Sequence, residues 1–239
     1  MDLAILTATL FEQDLLREQL AEAVFCEVAG RQWATGSVGE REVLLVETGM
    51  GAVNCTHALS CVLQSHVPAA VWQVGVGGGY AESGLVVGDV AVASEENYGD
   101  VGVRLDDGWR DVEQTIGLPL LRRGEKTYYN RFALDATRAK RMAEQISGSF
   151  KAAAGPFVTV QECTGTDELG HERGRRFKAL CENMEGAAAA HICALYEVDF
   201  VELRAISNIA ARRNRDTWEL PLACRRAQEA ALQLCAEGF

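Results

Sequence analysis

The sequence predicts a single α/β domain, residues 1–239, in three layers: a mixed central β-sheet flanked by helices. Short apolar runs with strand spacing alternate along the chain with helical patterns, the order of elements an α/β fold requires. One run, Ala69–Gly75, is almost wholly apolar, as in a strand buried on both faces. No linker, repeat or low-complexity tract divides the 239 residues, a length that one substantial domain can fill.

The elements follow in order. Residues 2–9 form a short apolar β run. Residues 11–23 read as an amphipathic helix with Leu15, Leu16 and Leu20 on one face. Residues 31–38 and 41–48 read as a hairpin turned at Gly39-Glu40. Gly49-Met50-Gly51 opens a helix running to about His66, with Ala52, Val53, Leu59, Val62 and Leu63 buried, and Pro68 ends it. The strand at 69–75 runs into Gly75-Val76-Gly77-Gly78-Gly79, read as a tight turn or a ligand floor. A strand at 88–98 precedes residues 100–131, an irregular excursion of Gly, Asp, Arg and aromatics. A helix at about 134–147 and a strand at about 155–162 come next, then a helix from Glu185, a strand at 199–206 and a last helix over about 216–236. That last helix carries Leu220, Ala223, Ala227, Ala230, Ala231 and Leu234 at helical spacing, with Asp216 as its N-cap.

Composition excludes several functions. With 48% hydrophobic residues the chain can bury a full core, and no apolar run reaches the length of a membrane span. The N-terminus lacks a basic n-region, so no signal peptide is read and the expected compartment is the cytosol. A net charge of −11, from 23 basic and 34 acidic residues, argues against nucleic acid or an anionic membrane as partner. The eight cysteines contain no CxxC pair; Cys55, Cys61, Cys193 and Cys235 fall in helical apolar patterns and read as reduced, buried thiols. The four histidines (His57, His66, His171, His191) show no ligand spacing, so no metal site is read. The glycine run is neither a dinucleotide fingerprint, because the GxGxxG spacing fails, nor a Walker A loop, because no Gly-Lys-Ser/Thr follows.

Two stretches carry the chemistry. Cys181-Glu182-Asn183-Met184-Glu185-Gly186-Ala187-Ala188 puts the carboxylate of Glu185 at the start of an alanine-rich helix. Arg204-Ala205-Ile206-Ser207-Asn208 is an apolar strand ending in a polar pair. An acid at a helix start and an amide at a strand end suit an α/β active site. Together the stretches resemble the nucleoside phosphorylase/nucleosidase superfamily, and within it the futalosine hydrolases. The likeness runs from the first strand to the last helix, is most specific over 181–218, and matches nothing over 100–127.

The resemblance implies a phosphorylase/hydrolase-like fold and hydrolysis of the N-glycosidic bond of futalosine to hypoxanthine, with no metal or organic cofactor. Cleaving that bond builds positive charge on the sugar, which a carboxylate near the ribose stabilises. The Asn-Met-Glu-Gly-Ala match gives this role to Glu185 and packs Met184 on the sugar. The order Ala8, three residues, Glu12, Leu15-Leu16 matches the related methylthioadenosine/S-adenosylhomocysteine nucleosidases and makes Glu12 the water-activating base. Gly77 and Gly78 would line the purine site, and Thr164 would offer backbone contacts to the base edge. Asn208 departs from those adenine-releasing relatives, which carry an Asp there. An amide cannot donate that acid's proton, but it can accept from a protonated ring nitrogen and donate to a carbonyl oxygen, so Ser207-Asn208 points to a 6-oxopurine. Arg215, in Arg215-Asp216 with Trp218, and Arg131, in Tyr128-Tyr129-Asn130-Arg131-Phe132, are the candidates to meet the carboxylate of futalosine's aromatic tail. The implied partner is a small nucleoside, with the chain in a homo-oligomer, dimer or larger. The rivals are an adenine-specific nucleosidase, a 6-oxopurine nucleoside phosphorylase and a non-catalytic nucleoside-binding protein.

Overall fold

A computed structural model describes residues 1–239. Fourteen strands and seven helices follow in chain order: β1 (Leu3–Thr7), α1 (Asp14–Glu18), β2 (Ala21–Val28), β3 (Arg31–Val38), β4 (Arg41–Glu47), α2 (Ala52–Ser65), β5 (Ala70–Gly79), β6 (Val90–Tyr98), β7 (Gly102–Leu105), β8 (Gly108–Asp111), α3 (Val112–Thr115), β9 (Leu121–Arg123), β10 (Lys126–Tyr128), β11 (Arg131–Ala133), α4 (Ala136–Ile146), β12 (Ala152–Thr159), α5 (Asp167–Phe177), β13 (Cys181–Asn183), α6 (Gly186–Tyr196), β14 (Asp199–Ile209) and α7 (Leu220–Ala236). No helix is long and apolar enough to cross a membrane.

Ten strands form one mixed sheet in the order β11-β6-β12-β13-β5-β1-β4-β3-β2, and β14 pairs with both β5 and β6. That double pairing closes a ring, β5-β13-β12-β6-β14, at one end of the sheet. β1 lies parallel between β4 and β5, and β14 parallel to β5, so the C-terminal ends of β1, β5 and β14 point the same way. In an open α/β sheet that is the edge where ligands bind.

Helices cover both faces. One core of 24 residues joins Leu3, Ile5, Leu45, Val74, Val92 and Leu203 to the inner sides of α4 and α7. A second, of 17 residues, joins Ala4, Leu6, Leu44 and Val71 to α2 and α6. Odd residues of β1 serve the first core and even residues the second, the alternation a strand buried on both faces must show. Each fully buried Leu or Ile here contributes on the order of 2 kcal/mol.

Several sequence expectations need correction, among them Val53 of α2, which is exposed rather than buried. The helix placed at 11–23 is a 3-10 turn, Leu10–Glu12, and a short helix ending at Glu18. The chain then becomes β2, an edge strand with no buried residue. The glycine run is no turn: β5 continues through Gly79. Residues 167–177, given no element, form α5. Asp216 does not cap the last helix; it lies in a 3-10 turn capped by the Asn214 side chain, and α7 starts after Glu219 with Pro221 in its first turn. All eight cysteines are free, but Cys26 and Cys163 are exposed and Cys61 and Cys224 half-buried, so only Cys55, Cys181, Cys193 and Cys235 fit the buried reading.

Candidate active site

Glu12 follows β1 directly, and the 3-10 turn tucks its side chain back under the sheet edge. Its Oε2 accepts the Thr9 amide and the Thr9 hydroxyl, both at 2.9 Å, and its Oε1 accepts the Val76 amide at 3.0 Å. It is only 4% exposed. Burial raises the Glu12 carboxyl above the ordinary glutamate range; Arg204 opposes that rise and the charge of Glu185 adds to it.

Glu185 is the N-cap residue of α6. Its Oε1 accepts the Gly51 amide at 2.9 Å and its Oε2 accepts Arg204 Nη2 at 3.1 Å. Gly51 has φ +92°, a conformation side chains disfavour. That backbone turn aims the amide ahead of α2 at Glu185 and brings the two helix starts together.

Arg204 is bonded to Glu185 and stands near Glu12. It is 1% exposed, in the middle of β14. Its guanidinium donates to Glu202 Oε1 at 2.8 Å, Glu185 Oε2 at 3.1 Å and the Val76 carbonyl at 3.2 Å. Burial alone would weaken its charge, but Glu202, Glu185 and Glu12 outweigh that and hold it firmly protonated. Gly75 makes room for the cluster: a Cβ there would stand 2.5 Å from Glu12 Oε1 and 2.9 Å from Arg204 Nη1. The glycine run therefore serves first as the floor of the acid cluster.

The other end of the run faces the amide. Gly78 pairs with Glu182 on β13 and Asn208 on β14, and a Cβ on it would lie 3.4 Å from both Asn208 Nδ2 and Glu182 Cγ. A register shift between Ile206 and Asn208 marks a bulge in β14, a device that re-aims a side chain beside a site. Ser207 is buried, and its hydroxyl reaches Asn208 Oδ1 at 2.8 Å and the Gly77 carbonyl at 3.3 Å. Asn208 Nδ2 donates one hydrogen to the Ile209 carbonyl at 3.1 Å, which leaves its second free. Glu182 fixes Thr164 by accepting its amide at 2.9 Å and its hydroxyl at 2.5 Å, while Arg173 donates to Thr164 Oγ1 at 3.1 Å. Gly77, Gly78, Thr164, Ser207 and Asn208 thus form one wall around Glu182 and the end of β5. Met184 stands beside Glu185; its carbonyl accepts Gln161 Nε2 at 2.9 Å and its sulfur lies 3.6 Å from Cys163 Sγ.

The two tail arginines are not placed alike. Residues 210–219 form a strap tied to this wall by Arg212 N to Asp167 Oδ1 at 2.8 Å and by Glu219 N to the Ser207 carbonyl at 3.0 Å. Arg215 is exposed on that strap, and Arg213 lies 4.6 Å over the Trp218 ring. Arg131 is not brought to the cluster. It pairs with Glu95 at 2.5 Å and lines a separate cleft of about 750 Å³ with Trp109, Arg110, Tyr129 and Arg176, to which neither Glu12 nor Glu185 contributes. The irregular excursion that carries it folds as two small hairpins, β7-β8 and β9-β10, beside the ring.

Sequence reasoning missed Arg204, Glu202, Glu182 and Gly75 as site residues. A signal for the first two exists: Glu202 and Arg204 are charges two apart in an otherwise apolar strand, so they share a face and, once buried, must be paired.

A family model described as the phosphorylase superfamily matches residues 2–238. The chain is 32% identical to a futalosine hydrolase of Thermus thermophilus over 80% of each protein. It is 29% identical to a 5′-methylthioadenosine/S-adenosylhomocysteine nucleosidase of Lysinibacillus sphaericus over 99% of each. Among solved structures, a nucleosidase of that second kind from Colwellia psychrerythraea, in complex with adenine, superposes with a TM-score of 0.83 at 26% identity, covering 99% of this chain and 95% of that one.

Proposed function

Because the chain belongs to the phosphorylase superfamily, we propose that it hydrolyses the N-glycosidic bond of a purine nucleoside whose base is a 6-oxopurine, with futalosine as substrate. Hydrolysis of a purine nucleoside is the common ground of the nucleosidase relatives. The finer reading rests on one observation: the side chain facing the glycine floor is the amide of Asn208, backed by Ser207.

The chemistry follows from the geometry. Oε1 of Glu12 accepts one bond and keeps a lone pair for the water, whereas Oε2 already accepts two, and the raised pKa of the carboxyl suits a general base. Water gives a proton to Glu12 as its oxygen bonds to C1′. The C1′–N9 bond breaks, and its electron pair goes to the purine. Glu185, oriented by Gly51 and Arg204, grips the ribose hydroxyls and offsets the charge on the sugar. The departing base takes a proton at N7 from solvent; Asn208 Oδ1 accepts that N–H, and the free Nδ2 hydrogen meets the 6-oxo oxygen. Arg215, exposed on the strap tied to the wall around Glu182, meets the tail carboxylate.

A second reading, an adenine-releasing methylthioadenosine/S-adenosylhomocysteine nucleosidase, is favoured by the relative aligned along 99% of the chain. One assay separates the two. Purified protein is incubated with futalosine, inosine or methylthioadenosine in phosphate-free buffer, and free base is followed by chromatography. Hypoxanthine from futalosine is the expected product. Adenine from methylthioadenosine alone overturns the 6-oxopurine reading, and turnover only on adding phosphate makes the protein a phosphorylase. The amide has its own test. Asn208→Asp is expected to lower the ratio of hypoxanthine to adenine release, in kcat/KM, by about tenfold or more, because a carboxylate facing the 6-oxo oxygen repels it. An unchanged ratio removes the argument from Asn208.

A further inference from the structure

Behind the acid cluster lie two carboxyl groups that the mechanism does not use. Glu96 on β6 and Glu202 on β14 are both 0% exposed. They meet across the start of α6, where a Cβ on Gly186 would collide with Glu96 Oε1 and with both oxygens of Glu202. Glu96 is well supplied with donors: Asn183 Nδ2 at 2.5 Å, Thr159 Oγ1 at 2.9 Å and the Asn97 amide at 3.1 Å. Glu202 is not. Its Oε1 takes Arg204 Nε, while its Oε2 is buried with no N–H or O–H donor of any other residue. What faces it is the Glu96 carboxyl.

Two buried carboxyls hydrogen-bond to each other only through a proton, and an orphaned buried oxygen is costly. Charge points the same way. Glu12, Glu185, Glu202 and Glu96 would place four negative charges around one guanidinium if all were ionised. We propose that Glu96 and Glu202 share a single proton and form a positioning pair, which leaves Glu202 the charge that anchors Arg204 and so aims that guanidinium at Glu185 and Glu12. The proposal rests on the reading of Glu12 as the water-activating base.

The surroundings favour the protonated pair. Burial, then the charge of Glu202, pushes the Glu96 carboxyl well above its usual range. The titratable groups around the pair are Arg204 and, further off, Glu185 at the start of α6, Cys181 on β13, Cys55 on α2 and Tyr98 on β6. Burial raises all three of Cys55, Cys181 and Tyr98, so they stay neutral, and Arg204 is the one cation among these neighbours.

Glutamine substitutions read the proton count. Glu96→Gln keeps a neutral partner whose N–H can donate to Glu202 Oε2, at the cost of the Asn183 bond on that side, so the acid limb of kcat/KM is expected to stay in place. Glu96→Gln with Glu202→Gln removes the pair's charge. Arg204 then acts on Glu12 with less opposition, and the acid limb is expected to move to lower pH by about one unit. A limb that moves as far in Glu96→Gln as in the double variant, or that stays put in the double variant, overturns the proposal. Infrared difference spectroscopy needs neither substrate nor the double variant. At about pH 8, where free carboxyls are ionised, the wild type is expected to show a protonated-carboxyl band that Glu96→Gln loses; a spectrum without it overturns the shared proton. This readout stands or falls apart from the identity of the substrate.

Discussion

Replacing Glu12 by glutamine is expected to cut kcat by about 10³-fold while leaving nucleoside affinity within a few-fold. The size of the loss follows from what Glu12 alone supplies. It is the carboxylate of the cluster that makes no direct contact with Arg204, and its bonds come from the Thr9 and Val76 amides and the Thr9 hydroxyl. It holds a base in place without a cation on it, whereas Glu185 is tied to the guanidinium. Glutamine has one acceptor oxygen where glutamate has two, so its NH₂ must face one of those amides. That mismatch costs about 1–3 kcal/mol of stability, and the variant is therefore checked by thermal melting before its kinetics are read. Binding is measured by calorimetry with the substrate that the base-release assay identifies. Unchanged turnover would leave the chain without a catalytic base; no turnover in either protein, with equal binding, would make it a nucleoside-binding module.

The same carboxyl sets a pH signature. Because burial raises its pKa, activity is expected to fall with decreasing pH at values above the ordinary carboxylate range. The stability consequence has the sign opposite to that of a salt-bridged surface acid. Between the unfolded value near 4.5 and the raised folded value, the native state holds a proton that the unfolded chain has lost. The stability contributed by Glu12 and Glu96 is therefore fully present below the unfolded value and declines as pH rises through the folded one.

The sequence makes the layers and the two acids readable because both rest on local signals. β1 and β6 are short apolar runs, α2 and the main helix of the C-terminus follow apolar periodicity, and α6 is an alanine-rich helix with Glu185 at its start. The misreadings have physical causes. β2 is an exposed edge strand with no buried side to show a period of two. β5 runs through glycines that a strand normally avoids, because Glu12, Arg204 and Ile206 crowd against its backbone. α5 is polar and contains Gly170 and Gly174, at which a Cβ would collide with the Ala210 carbonyl and with Glu82. In each case a tertiary contact decides, and local preference yields to it. The separation of Arg131 from the cluster is of the same kind: it follows from β11 pairing with β6 at the far edge of the sheet, a pairing that no local pattern specifies.

Arg204→Met is expected to cost about 3–5 kcal/mol of stability near neutral pH, the loss seen when one partner of a buried ion pair is removed. Methionine keeps an unbranched apolar stem of the kind arginine has, though a shorter one, so lost packing is the smaller part of the cost. Charge is the larger part. Arg204 is the cation bonded to Glu185 and Glu202 and the one whose charge opposes the rise at Glu12. Without it three carboxylates share a buried space with no counter-charge, and each must take up a proton or draw in water. In a chain of this size the loss corresponds to a fall in Tm of roughly 10 °C. The deficit should narrow as pH is lowered, since protonating the acids removes the charges that the arginine balanced. It should also shrink when Glu202→Gln is combined with Arg204→Met, because one uncompensated charge is then gone; the double-mutant cycle measures that coupling directly. Melting of Arg204→Met at the wild-type temperature, at every pH, would mean that the acids already hold their own protons. Arg204 would then be a passenger in the cluster, and the orientation of Glu185 would have to come from the Gly51 amide alone.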